Sequence, residues 1–210
     1  MKKNLILIDD HIMILHGLET FIEHHSTWEV LFKASSENET LENLEKFFQQ
    51  ISETNSCTIA LIDIKLEDKN GYDLCKIIKE KYPEIKCIIY SMYSSYGNVM
   101  TALECGADGF VSKNAKEAEL IVALDAVSSG KKYIQQDLQE MMEENSNFIS
   151  RLSQRETQIL NYICKGNSKI QICRELGISK RTCENYLSLL YDKLDVKNSD
   201  EIQIKYGGKI

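Results

Sequence analysis

No stretch of this chain is apolar for the roughly 20 residues that a bilayer-spanning helix needs, and Met1-Lys2-Lys3 is followed by too short an apolar stretch for a signal peptide. A cytoplasmic location is the expectation. Metal-ligand spacing is missing as well. The seven cysteines (Cys57, Cys75, Cys87, Cys105, Cys164, Cys173 and Cys183) are odd in number, include no C-x-x-C pair and lie mostly in apolar contexts. They read as reduced core residues rather than as disulfides or metal ligands. The four histidines, His11, His16, His24 and His25, crowd into one N-terminal helical stretch with no cysteine beside them, so a zinc site is not expected. Internal repeats and low-complexity tracts are absent too, which excludes repeat arrays and compositionally biased tails.

What is present is an ordinary composition, 43% hydrophobic and 27% charged over 210 residues, enough for one or two domains with a buried core. The net charge of −7 is unevenly divided. From Ser150 to Ile210 there are eleven Lys/Arg against seven Asp/Glu, a surplus of +4, whereas residues 1–149 carry −11. A basic end on an acidic body points to nucleic-acid binding at the end and a different task for the body.

Strand-like runs recur at Leu5 to Ile8, Glu29 to Lys33, Ile59 to Ile62, Lys86 to Tyr90 and Gly109 to Val111, each followed by a helix-like stretch. Such alternation implies βαβ units and a parallel sheet. The first, third and fourth runs are almost continuously apolar, as strands covered on both faces must be. The expectation for residues 1–130 is an α/β, flavodoxin-like, doubly wound, five-stranded parallel domain. Residues 131–150 are polar and acidic and read as a linker with room for one helix. From Leu152 strand signals stop, and Ser153 followed by Glu156 forms an S-x-x-E capping box ahead of Ile159, Leu160 and Ile163. Residues 151–210 are expected to be a small all-α domain.

The first strand-like run ends on two adjacent carboxylates, Asp9 and Asp10, and the third ends on Asp63. In a doubly wound sheet, ligands bind at the carboxyl ends of strands beside the point where strand order reverses. These two ends are neighbours in the flavodoxin-like order, so three like charges converge. A hard divalent cation such as Mg²⁺, which takes oxygen ligands and keeps several waters, would offset their repulsion. Ser91 ends the fourth run and Lys113 follows the fifth, 22 positions later.

With each of these five residues at the end of its own strand, residues 1 to about 130 resemble the receiver domain of bacterial response regulators. The resemblance implies that Asp63 is the phosphoacceptor, a carboxylate nucleophile. It implies that Asp9, Asp10, Asp63 and the Lys65 backbone carbonyl hold Mg²⁺, and that Ser91 and Lys113 bind the phosphoryl oxygens. Phe110, three residues before Lys113, matches the family's switch aromatic and is expected to turn inward as Ser91 moves. Glu67 and Asn114 stand where the family often has proline, and Lys65 and Tyr93 occupy positions that tune the acyl-phosphate lifetime. A haloacid-dehalogenase-type phosphatase, which also uses an aspartyl nucleophile, would want a second acid where Lys65 stands.

The segment Leu152 to Glu201 resembles the LuxR-type helix-turn-helix of NarL/FixJ-type regulators. Its markers are Leu152-Ser153, Arg155-Glu156, Gly166, a helix from Ser168 to Leu176, the turn Gly177-Ile178-Ser179 and a helix from Lys180 to Leu194. The resemblance places Lys180, Arg181, Thr182, Asn185 and Ser188 toward DNA, with Lys169 and Lys193 as phosphate contacts. Glu184 stands where lysine is usual, Tyr186 where histidine is usual, and Asp192 where a basic residue is common. Ser199-Asp200 replace the usual Arg-Thr, and the final helix is short. These departures imply modest DNA affinity or modest dimerisation of this end.

The combined expectation is a DNA-binding response regulator of a two-component system. Phosphorylation of Asp63 by a sensor histidine kinase or a small phosphodonor would switch the receiver surface, favour a homodimer and control transcription. No enzymatic activity is expected beyond Mg²⁺-dependent self-phosphorylation and slow autodephosphorylation, and no membrane partner. The alternatives are a receiver acting through protein partners with a degenerate tail, and a regulator working without phosphorylation.

Overall fold

The computed structural model describes residues 2–50, 56–67 and 69–207. The first unit is built on strands β1 (Lys2–Ile8), β2 (Trp28–Ala34), β3 (Ser56–Ile62), β4 (Lys86–Ser91), β5 (Gly109–Ser112) and β6 (Tyr133–Ile134). They alternate with helices α1 (Ile12–His25), α2 (Glu37–Gln50), α3 (Gly71–Lys81), α4 (Tyr96–Glu104) and α5 (Glu117–Ser128). The strands form one sheet in the order β2-β1-β3-β4-β5-β6, and every pairing is parallel.

Period-2 alternation sorts the strand side chains onto two faces. Leu5 and Leu7 of β1, Ile59 and Leu61 of β3, Ile88 of β4 and Val111 of β5 form one cluster with Leu15 and Ile22 of α1 and with Leu120, Ala123, Leu124 and Val127 of α5. The alternate residues Ile6, Ile8, Ala60, Ile62 and Ile89 face the other way and are equally buried. Burial on both faces is why these runs carry no polar alternation. Each large aliphatic buried there contributes about 1.5–3 kcal/mol of transfer free energy.

The sheet has one strand more than the five expected. After Gly130, whose φ of +83° makes a turn that an L side chain resists, Tyr133 N donates to Asp108 O at 3.0 Å and Gln135 N to Phe110 O at 3.2 Å. The Gln135 side chain also accepts from Ser112 N at 2.9 Å. Two residues offer no periodicity to detect; the open edge of β5 recruits them. Residues 131–150, read as a linker, are therefore β6 followed by a helix, α6 (Gln136–Ser150).

The chain divides into two compact units, the first ending at Gln135 and the second running from Gln136, with residues 95–100 grouped in the second. Beyond α6 the second unit has α7 (Gln154–Cys164), α8 (Lys169–Leu176), α9 (Lys180–Leu194) and α10 (Ser199–Tyr206). Its core comprises Ile159, Leu160 and Ile163 of α7, Ile172 of α8, Cys183, Leu187, Leu190 and Leu194 of α9, and Ile202 and Tyr206 of α10. So small a core leans on its helix ends. Ser153 and Glu156 form the expected capping box, and Ser168 and Gln171 form a second. Ser179 accepts from Thr182 N, and Asn198 from Glu201 N. Such caps contribute about 1 kcal/mol each.

α3 starts where the sheet's carboxyl edge is most crowded. Asn70 caps it by accepting from Tyr72 N at 3.0 Å, and Gly71 N donates to Ile64 O at 2.7 Å. A Cβ at Gly71 would lie 1.9 Å from the Asp63 carbonyl oxygen. Gly71→Ala is therefore expected to destabilise the protein by about 1–3 kcal/mol through overpacking and to displace Asp63. Gly17→Ala, with nothing within 4 Å of the added carbon, should leave stability unchanged or raised. Thermal melts of the two variants check this, and equal melting temperatures would overturn it.

Candidate functional site

The register β1·β3, which sets Ile8 opposite Ile62, brings the ends of both strands together. Asp63 N donates to Ile8 O at 2.9 Å, and Asp9 N donates to Ala34 O at 3.1 Å. Both aspartates are buried, at 2% and 5% exposure for Asp9 and Asp63, so their charges cannot be left to water. Backbone amides take part of that load. Asp9 Oδ1 accepts from His11 N, just before α1, at 2.9 Å, and Asp63 Oδ1 accepts from Ile64 N at 2.7 Å.

The remaining oxygens face Lys113. Its ammonium donates to Asp9 Oδ2 at 2.6 Å and to Asp63 Oδ2 at 2.7 Å, and its side chain is 6% exposed. Burial by itself would lower this lysine; its hydrogen bonds to Asp63 and Asp9, with their charges, together outweigh that and hold it above the ordinary lysine value. Lys113 is delivered by strand pairing: Ser91 lies opposite Ser112, and Lys113 N donates to Ser91 O at 3.0 Å. Ser91 is fully buried, and its Oγ accepts from Tyr93 N at 3.4 Å. Phe110 on β5 is also fully buried, its ring inside the domain. Lys65 pairs with Asn70 in an isolated antiparallel bridge that ties down the loop after Asp63.

Asp9, Asp10, His11 and Asp63 each offer a ligand atom, and those atoms lie within 4.8 Å of one another. His11 was not singled out by the sequence pattern; its Nδ1 is 2.6 Å from Asp10 Oδ1 and 3.2 Å from Asp9 Oδ1. The only sequence signal for it is its place directly after the acid pair. Three carboxylates against one ammonium leave two negative charges when the imidazole is neutral, the charge that a divalent cation supplies. A donor set dominated by carboxylate oxygen suits a hard cation, and the ammonium seated between Asp9 and Asp63 shows that a cation is favoured there. The residues fit a metal.

In the second unit α8 and α9 are joined by Gly177-Ile178-Ser179, with Gly177 left-handed at φ +61°, as the turn requires. Cys183, Leu187, Leu190 and Leu194 bury one face of α9. Lys180, Arg181, Thr182, Glu184, Asn185, Ser188 and Asp192 are exposed, and Tyr186 packs partly against the core. Two lysines expected on phosphates are already engaged. Lys193 Nζ lies 2.7 and 2.9 Å from the two oxygens of buried Glu156, and Lys169 Nζ is 3.1 Å from Glu184 Oε1. Arg155, beside Glu156, donates to Leu176 O at 2.6 Å, at the end of α8. Neighbouring charges on α7 thus tie it to α8 and α9.

Residues 5–125 match the family described as the response regulator receiver domain, and residues 150–205 match the luxR family of bacterial regulatory proteins. The chain is 28% identical over 206 residues to the transcriptional activator protein ExaE of Pseudomonas putida, covering 94% of this chain and 92% of that protein. It is 25% identical to the response regulator UvrY of Escherichia coli K12, covering 95% and 91%. In fold it is similar to RcsB in a structure of two RcsB dimers bound to two parallel DNAs, at TM-score 0.74 and 23% identity over the whole of both chains. No helix among the described residues is long and apolar enough to cross a membrane.

The Glu156 carboxyl is held below its ordinary value of 4.5, first by the Lys193 hydrogen bond and then by the Ser153 backbone amide. A group depressed in the folded state contributes stability above its unfolded pKa, and that contribution disappears as pH falls through the folded value. Lys193→Ala is expected to cost on the order of 1 kcal/mol at neutral pH, discounted because solvent reaches the ammonium. The gap to wild type should narrow as pH drops below about 4.5. Thermal melts of the full chain from pH 7 to pH 3 measure this; a gap independent of pH would contradict it.

Proposed function

Since the chain belongs to the response regulator receiver family and continues into a domain of the luxR family, we propose that it is a transcriptional regulator whose DNA binding is controlled by phosphorylation of Asp63. The observation that carries this reading is the buried Lys113 ammonium, 2.7 Å from Asp63 Oδ2 and 2.6 Å from Asp9 Oδ2, at the reversal point of a parallel sheet. Asp9, Asp10, Asp63 and the Lys65 carbonyl would hold Mg²⁺, which when bound supplies the charge that lets an anionic phosphodonor approach a carboxylate.

An Asp63 oxygen attacks phosphorus while the bond from phosphorus to the donor's leaving group breaks. An acyl phosphate forms on Asp63, and the leaving group, a kinase imidazole or acetate, departs with the electron pair. Lys113 turns from the carboxylates to the new phosphoryl oxygens, and the Ser91 hydroxyl donates to another. The added charge is roughly −1.5 to −2. With Ser91 drawn toward it, and Phe110 already inward rather than having to turn, the rearrangement around Ser91 reshapes the surface of α4 and α5, favouring a symmetric dimer. Dimers of RcsB bound to DNA support extending this to paired second units on half-sites about 34 Å apart.

A second reading, action through protein partners with a weakly DNA-binding tail, draws support from Lys169 and Lys193, whose charges are engaged by Glu184 and Glu156. Promoter binding by the phosphorylated protein at low salt separates the two.

Acetyl phosphate with Mg²⁺ is expected to add one phosphoryl group at Asp63, and Asp63→Asn or EDTA should abolish it. Intact-mass and peptide mapping read this out, and persistent labelling of Asp63→Asn would refute the assignment. Beryllofluoride should double the sedimenting mass; an unchanged mass across micromolar concentrations would rule out the dimer switch.

A further inference from the structure

We propose that Glu184 reads the N4 amino group of a cytosine in the major groove, and that Lys169 holds Glu184 for this purpose instead of binding a phosphate. The inference rests on the DNA-binding reading above and adds a base preference to it.

α9 fixes which side chains can reach a base. With Cys183, Leu187, Leu190 and Leu194 buried, Glu184 lies on the flank of α9, about 90° round the helix from that face and toward Lys169 of α8, its side chain 48% exposed. It is the fifth residue of the helix, in the N-terminal half that meets base edges when a helix of this kind enters the groove. A carboxylate only accepts hydrogen bonds. Guanine presents two acceptors in the major groove, thymine an acceptor and a methyl, and adenine an acceptor beside its amino group. Cytosine alone presents a donor with no acceptor beside it, so an acceptor-only side chain selects cytosine.

The objection is charge. A bare carboxylate between two phosphate backbones is repelled. Lys169, the first residue of α8, meets that objection: its Nζ sits 3.1 Å from Glu184 Oε1, so the pair enters the groove without net charge. A carboxylate has acceptor capacity to spare after one ammonium contact. The ion pair also restricts the rotamers of a long side chain before DNA arrives.

The test is site selection from a pool of random DNA duplexes, using the full chain treated with beryllofluoride. Wild type should return cytosine at one fixed position of each half-site, Glu184→Gln adenine at that position, and Glu184→Lys guanine. On one duplex, replacing that cytosine–guanine pair by thymine–adenine should weaken wild type about ten-fold. Lys169→Ala should reduce this discrimination while leaving the salt slope of log affinity unchanged. Identical preferences in wild type and both Glu184 variants would overturn the assignment. A salt slope flattened by about 0.9 in Lys169→Ala would return Lys169 to a phosphate contact and overturn its holding role. If no duplex is retained by any variant at low salt, the DNA-binding reading itself fails, and this inference with it.

Discussion

Much of the first unit is arranged around one ammonium. Lys113 touches Asp9 and Asp63 at once, and those residues come from β1 and β3 while the lysine follows β5. Two carboxylates this well buried would repel each other and resist desolvation without it. The strand order supplies the geometry, since β1 and β3 are paired and β4 separates β3 from β5. Two further constraints support it. Asp63 is pinned from behind by Gly71, where a side chain would collide with the Asp63 carbonyl. Asp9 also accepts from His11 N, so moving this carboxylate leaves the amide that leads into α1 without its partner.

The site is therefore poised rather than satisfied. One ammonium against three carboxylates leaves a deficit that a divalent cation matches, and under the proposed phosphorylation the same ammonium would pair with the phosphoryl group. Both changes redistribute charge in a pocket where Ser91 and Phe110 are already buried. A small rearrangement there has few places to go except outward, because packed interiors do not deform continuously.

The second unit handles charge differently. Its core is small, and Glu156 serves it twice, capping α7 with Ser153 and receiving Lys193 from α9. Lys193 is thereby tied to structure. Glu184 and Lys169 also pair, but with both side chains open to solvent, where an ion pair adds little to stability. The two lysines are about equally exposed, and it is the carboxylate, buried in Glu156 and open in Glu184, that sets the pairs apart.

Local sequence was enough for several elements, and for identifiable reasons. Apolar runs such as Leu5 to Ile8 announce strands buried on both faces, S-x-x-E announces the start of α7, and Gly177 with Ser179 announces the turn before α9. Acids at two strand ends, a serine at a third and a lysine after a fourth were legible because strand ends in this fold converge. Other features were decided only in three dimensions. β6 is two residues recruited by an open sheet edge, and no periodicity exists over two residues. His11 joins the acid cluster because the chain turns into α1 there, although by residue type it read only as one of four histidines in a helical stretch. The partners of Lys169 and Lys193 lie 15 and 37 residues away in the chain. Composition counts such charges as a basic surface, and only packing, which brings distant carboxylates within 3 Å or so of them, decides which of them remain available to a ligand.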